Sequence, residues 1–560
     1  MLNQNKNQKI ITVIITSLFC LTVIFLFSTK TLAASIELET LGSIGLASTN
    51  IFLIVSRIIQ VFIGLLGVIA ISLIIYAGYL WMTAAGNEEK ISQAKKILVN
   101  AVIGLIIILS AFAIVSFIIN KLEEATNPSF PPETPGPNFP GSAIGGGIIE
   151  SVYPLPNSQN NPRNTLIFVT FKEAVAGIIA GNALVGSLAG PNESPNVQIY
   201  QTGVIPQDPL NADEVVATTI DNKTFVFNPV PLLGLATTPT NYTVLLTSAI
   251  TKASGGSALP NGFDWSFGIG TFADITPPYV VSVFPVTNST VARNALVQIN
   301  FNEAINPVTA TGLAQTDPNQ PFNNIALTYN NGANNVPGEY AIGNQYKTVE
   351  FLSNLDCGAG QPTNSCGNPI YCLPASENFT ATIKAADLNS LLNGISDAAG
   401  NSLDGDHDGN AEGPPTDNYL WDFSTNDTLD LTAPFLTGIT PLDEAANIPL
   451  NPIAIGQFNE TISATTINTT NYIILLDDPL CTDPGENYSI ARPDQSGQYP
   501  NIPEWCWPGG FGVGLDNGNQ AKLWLYGYLD SLTRYNPRLL SYITDLYQNC
   551  FNPSDLNTND

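Results

Sequence analysis

Three times along this chain a proline opens a turn rich in Asn and Pro, which leads into an alternating apolar segment ending Phe-x-Glu. Pro154 leads to Phe171 and Glu173, Pro285 to Phe301 and Glu303, and Pro441 to Phe458 and Glu460, with Pro-to-Glu separations of 19, 18 and 19 residues. An internal repeat of this kind decides architecture before any local reading, because each copy is one folding unit. Within the second copy Val297, Ile299 and Phe301 alternate with Leu296, Gln298 and Asn300, as in a strand with one face on a core.

Further strand signals recur in order. Lys223-Thr-Phe-Val-Phe227 is answered by Lys347-Thr-Val-Glu-Phe351, and Tyr242 to Leu246 by Phe379 to Ile383. The first two copies close on Trp265-Ser-Phe267 and Trp421-Asp-Phe423. Short strands between Gly, Pro, Asn and Asp turns, with almost no helical periodicity, predict tandem β-sandwiches over residues 148–273, 274–427 and 428–560. The third copy has a middle strand in Lys522-Leu-Trp-Leu-Tyr526 but no Trp-x-Phe closing strand before Asp560. It is therefore expected to be incomplete, with an open edge that can pair with another chain, unless an unrecognised segment closes it.

The first 124 residues have a different grammar. Lys6 and Lys9 precede an apolar run from Ile10 to Phe27, and Thr31-Leu32-Ala33 places small residues where a signal peptidase reads. This predicts a signal peptide over residues 1–33, either cleaved or retained as an anchor. Two more apolar runs, Ile58 to Met82 and Ile97 to Ile119, are each long enough to cross a bilayer as a helix. Lys90, Lys95 and Lys96 lie between them and favour a cytoplasmic loop. The expected result is a two-helix transmembrane hairpin over residues 34–124, with everything after it outside. Residues 125–147, rich in Pro and ending Gly145-Gly146-Gly147, read as a spacer.

Two family resemblances attach to these residues. The paired membrane segments, with Tyr76-Ala-Gly-Tyr-Leu-Trp-Met-Thr-Ala-Ala-Gly86 and the lysine-bearing loop after it, resemble pilin subunits of type IV secretion and conjugation systems over about residues 34 to 122. That resemblance implies hairpins that polymerise with both termini outward, which leaves room for a C-terminal extension. The repeats over residues 148–560 resemble the tandem bacterial Ig-like domains of surface-layer and other cell-surface proteins. That resemblance implies spacer, adhesive or structural work and carries no catalytic residues.

Charge narrows the function. Residues 1–124 carry eight Lys/Arg and six Glu, whereas the remainder carries eleven Lys/Arg against forty Asp/Glu. An acidic body without a basic footprint argues against nucleic-acid partners. His407 is the sole histidine, which removes most triad and zinc chemistry. No enzyme activity is expected; a carboxylate glycosidase is the enzyme class still open.

Two sets of side chains are candidates for chemistry. Asp404, Asp406, Asp408 and Asn410 alternate around Gly405 and Gly409, the spacing that wraps a loop around calcium, with Glu412 or Asp417 needed to complete the shell. A plain solvated acidic turn is the competing reading. Cys357, Cys366, Cys372, Cys481, Cys506 and Cys550 lie beyond the membrane section and are disulfide candidates. Three in each of two copies is odd, so either one thiol per copy stays free or a bridge crosses between copies.

The leading expectation is a membrane-anchored surface protein with structural or adhesive sandwiches. Its partners would be membrane lipid, copies of itself or other pilin-like subunits, and a surface protein or glycan. The alternative is a secretion-filament subunit decorated by the same sandwiches.

Overall fold

In the computed structural model the described residues are 92, 93, 95 and 96, together with 144–552 apart from 181–182, 185–195, 206, 212–213, 315–321, 359, 388–389, 391, 482–501 and 503–505. The expected leader, both apolar runs and most of the spacer lie outside them. Among the described residues no helix is long and apolar enough to cross a membrane. The strands belong to the second of two compact units, Gly136–Asp560.

Each repeat builds a sandwich-like module, and the repeated residues occupy repeated places. In the first, one antiparallel sheet orders Ile149–Tyr153, Ile167–Phe171, Thr224–Pro229 and Val215–Thr219, and a second orders Phe263–Ile269, Thr240–Leu246 and Val197–Gln201. The second module repeats the start of that sheet as Val280–Phe284, Val297–Phe301 and Thr348–Ser353, and its facing sheet is centred on Tyr419–Thr425 and Asn378–Ile383. The third runs Leu436–Thr440, Ala454–Phe458, Gln520–Leu525 and Phe511–Asp516.

Alternation explains why each sandwich closes. Along Phe263–Ile269 the side chains of Phe263, Trp265 and Phe267 point inward, while Asp264 faces solvent. They meet Phe171, Phe225 and Phe227 from the opposite sheet in a single apolar core. Phe301 and Phe351 meet Trp421 and Phe423 in the same way in the second module, and Phe458, Phe511 and Leu523 meet Tyr472 and Ile474 in the third. Burial at roughly 2 kcal/mol per large side chain makes these clusters the main cohesive term. The closing tryptophans also find hydrogen-bond partners: Trp265 Nε1 donates to the Pro154 carbonyl at 3.1 Å and Trp421 Nε1 to the Pro285 carbonyl at 3.2 Å. That ties the end of each of these two repeats to its opening proline.

The third module has a smaller facing sheet among the described residues. Facing its four-stranded sheet, Tyr472–Leu476 pairs with Tyr535–Leu539 in a sheet of two strands. Among the described residues no Trp-x-Phe strand follows.

The modules pack against one another. In the first two modules the outer face of the Phe-x-Glu strand receives the next module. In the first module Leu166, Phe168 and Val226 pack against Ala304, Tyr346 and Ala398 of the second. In the second module the equivalent positions are polar: Gln298 lies opposite Glu350, as Phe168 lies opposite Val226. Buried Glu350 accepts hydrogen bonds from Gln298 Nε2 at 2.8 Å, Ser463 Oγ at 2.6 Å and the Ala464 N–H at 2.6 Å. A buried carboxylate is tolerable only when so fully partnered. The first and third modules also touch, with Glu150 accepting from the Thr469 N–H and hydroxyl, both at 2.7 Å. In the third module the matching pair is Ile455 and Lys522, and Ile453 beside them is 51% exposed.

Candidate metal centre and the module junctions

Between the first two modules an asparagine grips the connecting chain. Asn164 Nδ2 donates to the carbonyls of Asp274 (2.7 Å) and Ala399 (2.9 Å), and its Oδ1 accepts from the Asp274 N–H (2.8 Å). Asn294 repeats this with Asp430 (2.7 Å), Tyr547 (2.7 Å) and the Asp430 N–H (2.9 Å). Both residues stand seven positions before the phenylalanine of Phe-x-Glu, as Asn451 does in the third copy. The loop they reach is also repeated. Asp397 accepts from the N–H groups of Ala399 and Asn401 and from Asn401 Nδ2; Asp545 accepts from Tyr547, Asn549 and Asn549 Nδ2 in the same way.

These junctions concentrate negative charge. Oxygens of Asp274, Glu303 and Asp397 all lie within 4.8 Å of one another. Burial first, then repulsion from Asp397, pushes the Glu303 carboxyl up to about 7. Burial raises Asp397 to about 6 against its hydrogen bonds, and Asp545 to about 7 with Glu460 adding to the effect. In the first module the equivalent places are taken by Lys252 and Glu173, which form an ion pair at 2.7 Å.

A second carboxylate cluster sits in the loop that leads into Tyr419–Thr425. Asp404 and Asp417 are buried, at 1% and 0% exposure, and with exposed Asp406 they place oxygens within 4.8 Å of one another. Asp404 takes the N–H groups of Asp408 (3.2 Å) and Gly409 (2.8 Å), and Asp417 Oδ2 takes that of Gly413 (2.7 Å). Asp417 Oδ1 is buried without a hydrogen-bond partner. Glycine at 405 is required by crowding, since a Cβ there would stand 2.0 Å from the Asp417 carbonyl oxygen. Partial desolvation, then Asp408, raises the carboxyls of both Asp406 and Glu412, with Asp417 contributing to each.

Of the four expected calcium ligands, the fold brings Asp404 and Asp406 together, and of the two residues expected to complete the shell it places Asp417 beside them. Asp408 and Asn410 bond to each other instead, Asn410 N–H and Nδ2 donating to Asp408 Oδ1 at 2.9 and 3.1 Å. The loop also touches the connection between modules: the Asp404 N–H donates to the Pro278 carbonyl at 2.9 Å, and the His407 ring stacks on Tyr279 at 3.8 Å.

All six cysteines from Cys357 to Cys550 are bridged. Cys357 pairs with Cys372 and Cys481 with Cys506, each within a module, and Cys366 pairs with Cys550 across the second junction. The odd count per copy therefore resolves as a crossing bridge. A polar cleft beside Tyr329 and Asn378 is lined by Asp422.

Residues 47–118 match the family model of the type IV secretion system pilin, and residues 148–268 match that of a bacterial Ig-like domain. The chain joins a pilin-type segment to bacterial Ig-like structure. No curated protein matches it. Among solved structures, surface layer protein SbsC, domains 1–6, is 10% identical, with 87% of this chain and 63% of that chain covered and a TM-score of 0.16. The titin domains Z1Z2 in complex with telethonin are 9% identical, with coverages of 50% and 95% and a TM-score of 0.13. The human desmocollin-1 ectodomain is 9% identical, with coverages of 70% and 57% and a TM-score of 0.12.

Proposed function

We propose that this protein is a membrane-anchored bacterial surface component whose three modules act as one stiff structural or adhesive body. The observation that carries this reading is the repeated junction, in which Asn164 and Asn294 make the same hydrogen bonds and a disulfide crosses the second joint. A body of that kind holds a surface at a set distance from the membrane. The apolar runs at Ile58 to Met82 and Ile97 to Ile119 supply the anchor, with Lys90, Lys95 and Lys96 on the cytoplasmic side.

Protease added to intact cells tests the placement. Removal of residues after Lys121, with the lysine-bearing loop protected, is expected; full protection of the modules overturns the reading. The match of residues 47–118 to secretion pilins supports a second reading, in which the modules decorate a filament. Electron microscopy of sheared surface material separates the two, since only the second gives filaments that contain this chain.

A further inference from the structure

We infer that Asp404, Asp406 and Asp417 form a divalent-cation site of the calcium type. Goes with this a structural consequence: the ion fixes the loop that holds Pro278 and Tyr279, and so stiffens the joint between the first two modules. Three carboxylates within 4.8 Å repel one another unless a cation lies between them. The decisive atom is Asp417 Oδ1, which belongs to a fully buried side chain and has no donor. A buried acceptor left without a partner is costly, and the loop offers it no N–H or hydroxyl. A hard cation satisfies it with an oxygen ligand set.

The surrounding backbone is already shaped for this. Asp404 is held by two N–H groups and Asp417 Oδ2 by one, so the ligands are oriented before any ion arrives. Gly409 and Gly413 adopt φ of +95° and +83°, which turn the loop back on Asp404. Exposed Asp406 completes the open side. An all-oxygen, carboxylate-rich set without histidine or cysteine selects calcium over transition metals, and the affinity range of extracellular modules is sufficient.

The test uses the purified full chain in detergent, titrated with calcium chloride up to about 10 mM, well above the range of weak extracellular sites. The melting temperature is expected to rise by about 2 °C or more through mass action. Terbium emission excited through tyrosine is expected to appear, since Tyr279 stacks on the loop, and to be displaced by calcium. Asp406→Asn, at an exposed position that folding does not depend on, and Asp417→Asn should each lose both responses, while Glu303→Gln at the neighbouring junction keeps them. An unmoved melting temperature in the native protein, or an equal rise in Asp406→Asn, overturns the site. Loss of the response in Glu303→Gln alone places the ion at the junction and overturns it as well.

Discussion

Replacing Tyr346 by alanine tests whether the first two modules are truly joined. Tyr346 is 4% exposed, although it belongs to a loop of the second module. Its ring lies 5.0 Å from Phe168 and 6.4 Å from Tyr153 of the first module, both edge-on. Its hydroxyl is 2.9 Å from both Ser151 Oγ and Thr170 Oγ1. Truncating a buried aromatic costs about 3–5 kcal/mol, and two hydroxyl contacts add about 1 kcal/mol each. Because the contact spans the joint, that loss falls on module coupling as well as on the second module. Calorimetry of the full chain should show the lowest transition fall by about 10 °C or more in Tyr346→Ala. Tyr346→Phe, which keeps the ring and deletes the hydroxyl, should lose about 1–2 kcal/mol. An alanine variant that melts within 2 °C of the native protein, by that same scale, would falsify the packed joint.

Two further outcomes follow from the same contacts. Cys366→Ser opens a loop of 184 residues at the second junction and should cost about 2–4 kcal/mol, read by urea unfolding with and without reductant: the two proteins should differ when oxidised and share one midpoint in reductant, where all the bridges are open. The junction carboxyls should make stability fall as pH rises. Glu303 and Asp545 titrate at about 7 and Asp397 at about 6 in the folded protein, above their unfolded values, so the folded state keeps protons that the unfolded chain releases. Their contribution is full below about pH 4 and lost on passing through pH 6 to 7; buried Asp397, moved from 3.8 to about 6, accounts for roughly 3 kcal/mol. Melting temperatures at pH 5 should exceed those at pH 8, and Asp397→Asn, which resembles the protonated form, should flatten the difference.

The sandwiches were legible because alternation and turn chemistry are local. Phe-x-Glu, Lys-Thr-x-x-Phe and Trp-x-Phe each mark one strand, and each strand stands where that pattern placed it. The junctions were not legible, because a face that receives another module can be apolar, as at Phe168, or polar, as at Gln298 and Glu350. Alternation alone assigns Gln298 to solvent, yet it is 3% exposed. The repeated asparagine seven residues before the phenylalanine was the available signal. Asp545 and Asn549 were hidden because Leu-Tyr-Gln separates them where Ala-Ala-Gly separates Asp397 and Asn401. In the cation loop, spacing marked Asp404 and Asp406 and left Glu412 or Asp417 to complete the shell, but it also pointed to Asp408 and Asn410; the turn through Pro414 and Pro415 delivers Asp417, thirteen residues after Asp404. Disulfide pairing needed the fold, since Cys366 and Cys550 are 184 residues apart.

Distance measurement between the outer modules tests the stiff body most directly. Spin labels carried by non-canonical side chains at exposed Ile220 of the first module and Tyr528 of the third leave the six bridged cysteines untouched. Pulsed electron resonance on the full chain is predicted to give one narrow distance distribution, which broadens in Tyr346→Ala. A broad distribution in the native protein, as from beads on flexible linkers, would contradict the account.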